Sequence, residues 1–93
     1  MVMIIKTQLP VWCDAVEQLP NTDSSNFSSD LILRMIDDSG YITIDRGYYV
    51  DFGISNDGIG KYWINTGTDQ RSIEKVGDKL IQNFAVTHYM VIS

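Results

Sequence analysis

Residues 31–65 read LILRMIDDSG YITIDRGYYV DFGISNDGIG KYWIN, with apolar and polar positions alternating between turn signals at Asp37-Asp38-Ser39-Gly40, Asp45-Arg46-Gly47 and Asn56-Asp57-Gly58. Alternation with period two marks a half-buried strand, and three turn clusters cut the stretch into four, so a four-stranded antiparallel meander is expected over about 31–65. Loop length then decides which residues share a face. A three-residue loop at Asp45-Arg46-Gly47 pairs Ile44 with Tyr48 and Ile42 with Val50, an apolar match. A two-residue loop there would set Ile42 against Asp51 and bury a carboxylate. Even-length connection at Ser39-Gly40 adds Leu31, Leu33 and Met35 to the same face. Asn56-Asp57-Gly58 as a three-residue loop sets Phe52 opposite Tyr62 and Val50 opposite Ile64. The expected buried face is Leu31, Leu33, Met35, Ile42, Ile44, Tyr48, Val50, Phe52, Ile54, Tyr62 and Ile64. Ile32, Arg34, Ile36, Tyr41, Thr43, Asp45, Tyr49, Asp51, Lys61, Trp63 and Asn65 point the other way.

Outside the meander the signals are weaker. Ile73, Val76, Leu80, Ile81 and Phe84 recur at helical spacing after a capping Thr68 or Asp69, which predicts a C-terminal helix over about 69–85 packed on the buried face. Gly77 beside that stripe would allow close helix-to-sheet approach. Val2 to Gln8 and Val86 to Ile92 are expected as terminal strands that pair at one edge. Between Pro10 and Pro20, the spacing of Val11, Trp12, Ala15, Val16 and Leu19 suggests a short N-terminal helix. Asn21 to Asp30 is polar around Phe27 and reads as a loop. The expected class is therefore α+β, in one domain spanning 1–93.

Ninety-three residues with 44% hydrophobic and 20% charged composition suit a small globular chain that folds without a cofactor. One cysteine, Cys13, excludes an internal disulfide framework and a multi-cysteine zinc site and points to a reducing, cytoplasmic compartment, the host cytoplasm if the chain is viral. No apolar run reaches the length of a membrane span. Twelve acidic residues against seven basic ones give a formal charge of −5, which disfavours direct nucleic-acid binding and favours a protein partner with a basic surface.

No catalytic set assembles from the pattern, so an enzyme is not expected. His88 and Cys13 lie far apart and read as ordinary structural positions, and most aspartates fall in turns, where they bond local amides. No spacing fits a calcium loop, and Gly58-Ile59-Gly60 reads as a hairpin turn rather than a phosphate loop, so no metal or nucleotide is expected. Tyr41, Asp45, Tyr49, Asp51 and Trp63 share the expected open face, and aromatic residues beside carboxylates are the anchors of binding hot spots. The alternative for that face is a second core layer under the N-terminal segment. The function expected is a small acidic non-catalytic protein that binds and inhibits or modulates another protein. In character it resembles phage-encoded anti-defence (anti-CRISPR) inhibitors that block a cationic nucleic-acid-binding groove. Alternatives are an immunity protein against a nuclease toxin, or a small-ligand or carbohydrate-binding module using Trp63, Tyr49 and Asp51.

Overall fold

The computed structural model describes residues 11–53 and 59–92, and this part of the chain holds strands and turns with no helix. The elements are β1 (Cys13–Asp14), β2 (Leu31–Ile36), β3 (Ile42–Asp51), β4 (Lys61–Asn65), β5 (Gln70–Arg71), β6 (Ile73–Val76), β7 (Lys79–Gln82) and β8 (Ala85–Val91). Six form an antiparallel sheet in the order β1-β8-β2-β3-β4-β5, while β6 and β7 make a separate hairpin. The α+β expectation with a C-terminal helix is thereby corrected: the described residues are about half strand and hold no helix.

The meander survives with one strand fewer. Asp45-Arg46-Gly47 is not a turn: β3 runs straight through it, pairing with β2 over Ile42 to Gly47 and with β4 over Gly47 to Asp51. Gly47 is the crossover point, flanked by Leu31 on one side and Asn65 on the other. A Cβ at this position would collide with the Ile64 carbonyl oxygen and Leu33 Cδ1, so glycine is here for close approach rather than for a reversed backbone. The β3–β4 partners are Val50 with Tyr62 and Tyr48 with Ile64, a shift of two residues that keeps the expected shared face. The expected Asn56-Asp57-Gly58 turn, Ile54 and the Val2 to Gln8 strand lie outside the described residues.

One parity error inverts β2 relative to the rest. Ile36 pairs with Ile42, which leaves a five-residue loop, Asp37 to Tyr41, where an even one was expected. The Asp37 carboxylate organises it by accepting from the Ser39 amide (3.0 Å), the Ser39 hydroxyl (2.6 Å) and the Tyr41 amide (2.9 Å). An odd loop puts Leu31, Leu33 and Met35 on the face of Tyr49 and Trp63, and leaves Ile42 and Ile44 on the opposite face with Ile32, Arg34 and Ile36.

That inner face is the main core: Leu31, Leu33, Met35, Tyr49, Trp63, Phe84, Val86 and Tyr89 with Ala15. The sheet coils around it. Tyr89 on β8 and Trp63 on β4 are three strand spacings apart in order, roughly 14 Å if flat, yet their ring centroids lie 5.8 Å apart. Residues 15–18 close one part of the trough, with the Tyr89 hydroxyl donating to the Gln18 carbonyl at 2.8 Å. In place of the expected N-terminal helix stands a single turn, with the Asp14 carboxylate accepting from the amides of Val16 and Glu17, and Val11 and Val16 are exposed.

In β8 a bulge between the partners of Arg34 and Met35 breaks the alternation, so that Val86 and Tyr89 both face the core. Thr87 fills the bulge, its hydroxyl accepting from Arg34 Nη1 (2.7 Å) and donating to the Arg34 carbonyl (3.2 Å).

The predicted C-terminal helix is replaced by β5 and the β6–β7 hairpin. Asn65 Oδ1 accepts from the Gly67 amide and Asp69 adopts φ 55°, so Thr66 to Asp69 form a tight turn rather than a helix cap. Buried Ser72 then ties the strand to β4: its amide donates to the Trp63 carbonyl (2.8 Å) and its hydroxyl accepts from the Trp63 amide (2.9 Å). A helix would leave both Trp63 groups unsatisfied in the core. Gly77 at φ 63° leads the two-residue Gly77-Asp78 loop, the position that a type II′ hairpin turn reserves for glycine. Across the hairpin Lys75 faces Leu80 and Glu74 faces Ile81, so neither side is apolar, and Leu80 is exposed instead of lying in a buried stripe.

Among the described residues no helix is long and apolar enough to cross a membrane.

Candidate partner-binding surface

The five residues singled out from the sequence do share one face, but the structure divides them. Tyr49 and Trp63 are cross-strand partners with ring centroids 4.8 Å apart, and at 3% and 9% exposure they belong to the core. The alternative of a core layer under the N-terminal segment holds only in part: the two rings are buried, but in the main core with Leu31, Leu33, Met35 and Ala15, while Trp12 and Val16 are exposed. Asp51 stands at the end of the ladder opposite Lys61, with a carboxylate-to-ammonium distance of 4.0 Å and an Oδ1 that accepts from the Gly53 amide. Tyr41 is exposed at the β2–β3 loop, and half-buried Asp45 lies against Gly67 while accepting from the Arg46 amide at 2.7 Å. These five do not converge on one exposed patch.

Burial raises the Tyr49 hydroxyl above its ordinary value of 10.0, and the nearby Asp51 charge adds to the shift. Tyr89 is raised too, by burial first and then by the neighbouring Cys13 thiol. Asp37 is held below the usual carboxylate value by the hydrogen bond from the Ser39 hydroxyl and then by the Tyr41 amide.

The exposed apolar surface is on the other face of β3. Even-numbered residues of this strand point outward, and they form the sequence Ile42, Ile44, Arg46, Tyr48, Val50, continued past its end by Phe52. Ile42, Ile44 and Phe52 are 45%, 58% and 50% exposed. Phe27 reaches the same face through a bridge to Val50, and its ring meets those of Tyr48 and Phe52 edge-on, both at 5.8 Å. The loop presenting Phe27 is fixed by Asp23, whose carboxylate accepts from the amides of Ser25 and Phe27, and by Ser28, which exchanges hydrogen bonds with the Tyr49 backbone. Beneath the aromatic end lies a second small core of Val50, Ile59, Tyr62 and Ile64. Arg71 stacks over Tyr62 with its guanidinium carbon 4.9 Å from the ring centre.

Residue alternation alone could not find this stripe, because the even loop assumed at Ser39-Gly40 turned Ile42 and Ile44 inward. Phe27 carried a signal of its own as the single large apolar residue in a polar loop.

Charge is unevenly spread. Residues 11–53 contain eight acidic side chains and two basic ones, Arg34 and Arg46, a net of −6, whereas residues 59–92 contain three acidic and four basic ones, a net of +1. Among the described residues the one ion pair is Lys61 with Asp51, so the acidic half is not neutralised internally.

The β1–β8 register sets Asp14 opposite His88 and Cys13 opposite Tyr89, which places the thiol and the imidazole on opposite faces. The His88 ring meets the Thr87 hydroxyl at Nδ1 and Trp12 edge-on. No three His, Cys, Asp or Glu side chains among the described residues converge in a way that would hold a metal ion. An exposed aliphatic and aromatic stripe thus lies on a net-acidic stretch of chain. No family model, no curated protein and no solved structure matches this chain.

Proposed function

We propose that this chain is a non-catalytic binding protein that inhibits or modulates another protein by covering a basic surface on it. The observation that carries the reading is the outward stripe of Ile42, Ile44, Phe27 and Phe52, set in a stretch of net charge −6. Exposed apolar residues on one face of a small chain, Ile42 with Ile44 at one end and Phe27 with Phe52 at the other, support an interaction site, and surrounding carboxylates select a cationic partner and speed its approach. A groove that holds nucleic acid is the kind of surface such a protein covers, as a phage-type anti-defence inhibitor or an immunity protein against a nuclease would. The same net charge argues against direct binding of nucleic acid. The site of action proposed is the cytoplasm, of the host if the chain is viral. A carbohydrate or small-ligand role for Trp63 and Tyr49 is not favoured, because a ligand would have to open the core to reach their rings.

The test is capture of partners from a host lysate, followed by affinity measurement from about 0.05 to 0.3 M salt. Affinity for the identified partner should fall steadily with salt. Replacing Ile42 and Ile44 by serine, or Phe52 by alanine, should weaken binding by about 2 kcal/mol with an unchanged denaturation midpoint. Salt-independent binding that ignores these substitutions would refute the proposal.

A further inference from the structure

The edge of β3 that faces away from β2 changes character at Gly47. Beyond it, Tyr48 and Val50 turn their backbone groups toward β4, and the Phe52 amide reaches the Gly60 carbonyl (2.7 Å). Odd-numbered Tyr49 and Asp51 turn theirs the opposite way, to Ser28 and Asn26. The same alternation runs upstream. The Arg46 carbonyl accepts from the Thr66 amide at 2.9 Å, the last contact on the β4 side before that strand ends. Ile44 and Ile42 therefore aim their N–H and C=O groups past the end of β4, where no described strand lies and neither residue has a backbone partner among the described residues. Edge strands are ordinarily protected by charged side chains, proline or a bulge, and Ile42 to Ile44 contains none of these.

We propose that this open edge is completed by an extended segment of the partner in which apolar and basic residues alternate. The inference rests on the binding function proposed above and specifies its mode. A strand laid against Ile42 and Ile44 places every second side chain outward, beside these two exposed isoleucines, where β-branched and other apolar residues pair well. The intervening side chains fall on the inner side, over a groove of about 180 Å³ whose lining includes Asp37, Tyr41, Thr43, Asn65, Thr68 and Gln70. Asp38 adjoins that end of the strand in the loop, Asp45 follows Ile44, and no lysine or arginine lines the groove. Main-chain hydrogen bonds supply affinity in such strand addition and the alternate pockets supply specificity. Charge complementarity selects a basic segment over a second copy of the chain, since pairing two copies here would bring Asp37, Asp38 and Asp45 of both together.

The experiment is an NMR titration of the full chain with two synthetic heptapeptides, one alternating lysine with valine, the other glutamate with valine. At about ten times its Kd the lysine peptide should slow amide exchange at Ile42 and Ile44 about tenfold, and the glutamate peptide should not. Ile44→Pro deletes an outward N–H and leaves the β2 ladder untouched, so it should abolish protection at Ile42. If that variant does not fold, the two wild-type titrations decide. Protection by neither peptide, or at β8 or the β6–β7 hairpin instead, overturns the proposal. So does protection of the two amides without peptide that disappears on dilution, which would assign the edge to a second copy. A captured partner that binds Ile44→Pro as tightly as wild type removes the edge and leaves the binding function standing. Loss of salt-sensitive capture by the wild type removes both.

Discussion

The two halves of β3 are one strand with one alternation and opposite fates. From Gly47 to Asp51 it has β4 on one side and the Asn26 to Ser28 segment on the other. Tyr49 is buried beneath it, and Val50 is buried above it. From Ile42 to Asp45 its one ladder partner among the described residues is β2, and Ile42, Thr43 and Ile44 are exposed. Side-chain chemistry does not explain the difference, because Ile42 and Ile44 are as apolar as Val50. The number of neighbours explains it: a strand flanked twice and covered on both faces becomes core, while a strand flanked once keeps a face and an edge for something else.

Substitutions at the two ends should separate the halves sharply. Trp63→Ala removes the ring that packs on Tyr49 and Tyr89, and should cost about 3 to 5 kcal/mol, close to the whole stability of a domain this small. A urea midpoint left unchanged would mean that Trp63 is not core. Gly47→Ala places a methyl group against the Ile64 carbonyl and Leu33, so it should cost about 1 to 3 kcal/mol in the same measurement, and a neutral result would show that the strands can part there.

A weaker effect is expected from pH. Because burial raises the Tyr49 hydroxyl, the folded state favours its neutral form. The corresponding stability is fully present below the unfolded tyrosine value near 10 and is lost as pH rises through the folded one. Denaturation midpoints should therefore fall above about pH 10, and Tyr49→Phe should reduce that fall. Smallest of all, Ile44→Ala should shift stability by no more than about 0.5 kcal/mol, as an exposed residue does. A loss of several kcal/mol there would place Ile44 in a core and end its role as a contact.

The stretch 42–65 was legible because its faces are set by alternation, and alternation survives whether Asp45-Arg46-Gly47 is a three-residue loop or three residues of strand. Tyr49 and Trp63 were correctly placed with Asp45 and Asp51 on one side. Which side was buried was not legible, because it hung on one residue in the preceding loop. The three-point grip of the Asp37 carboxylate, not a general turn preference, sets that loop at five residues. The region 69–85 misled for a different reason. Apolar periodicity reports a buried face, and in the β6–β7 hairpin only Ile73 packs against a core while Val76, Leu80 and Ile81 are exposed, so their helical spacing did not mark a buried stripe. Ile73, Val76 and Ile81 are β-branched and Gly77-Asp78 suits a two-residue turn, local signals that outweigh spacing where most of the hairpin is exposed. In β8 the bulge at Thr87 could not be read from alternation, since its effect is to break it.

Residue-resolved amide exchange along β3 in the free protein tests the contrast most directly. Tyr48 and Val50, paired with Ile64 and Tyr62, should exchange only through global unfolding. Ile42 and Ile44, facing an edge that no described strand covers, should exchange faster by about two orders of magnitude or more, at a protein concentration low enough to exclude association. Equal protection along the whole strand would contradict the account, because the first half of β3 would then already be covered.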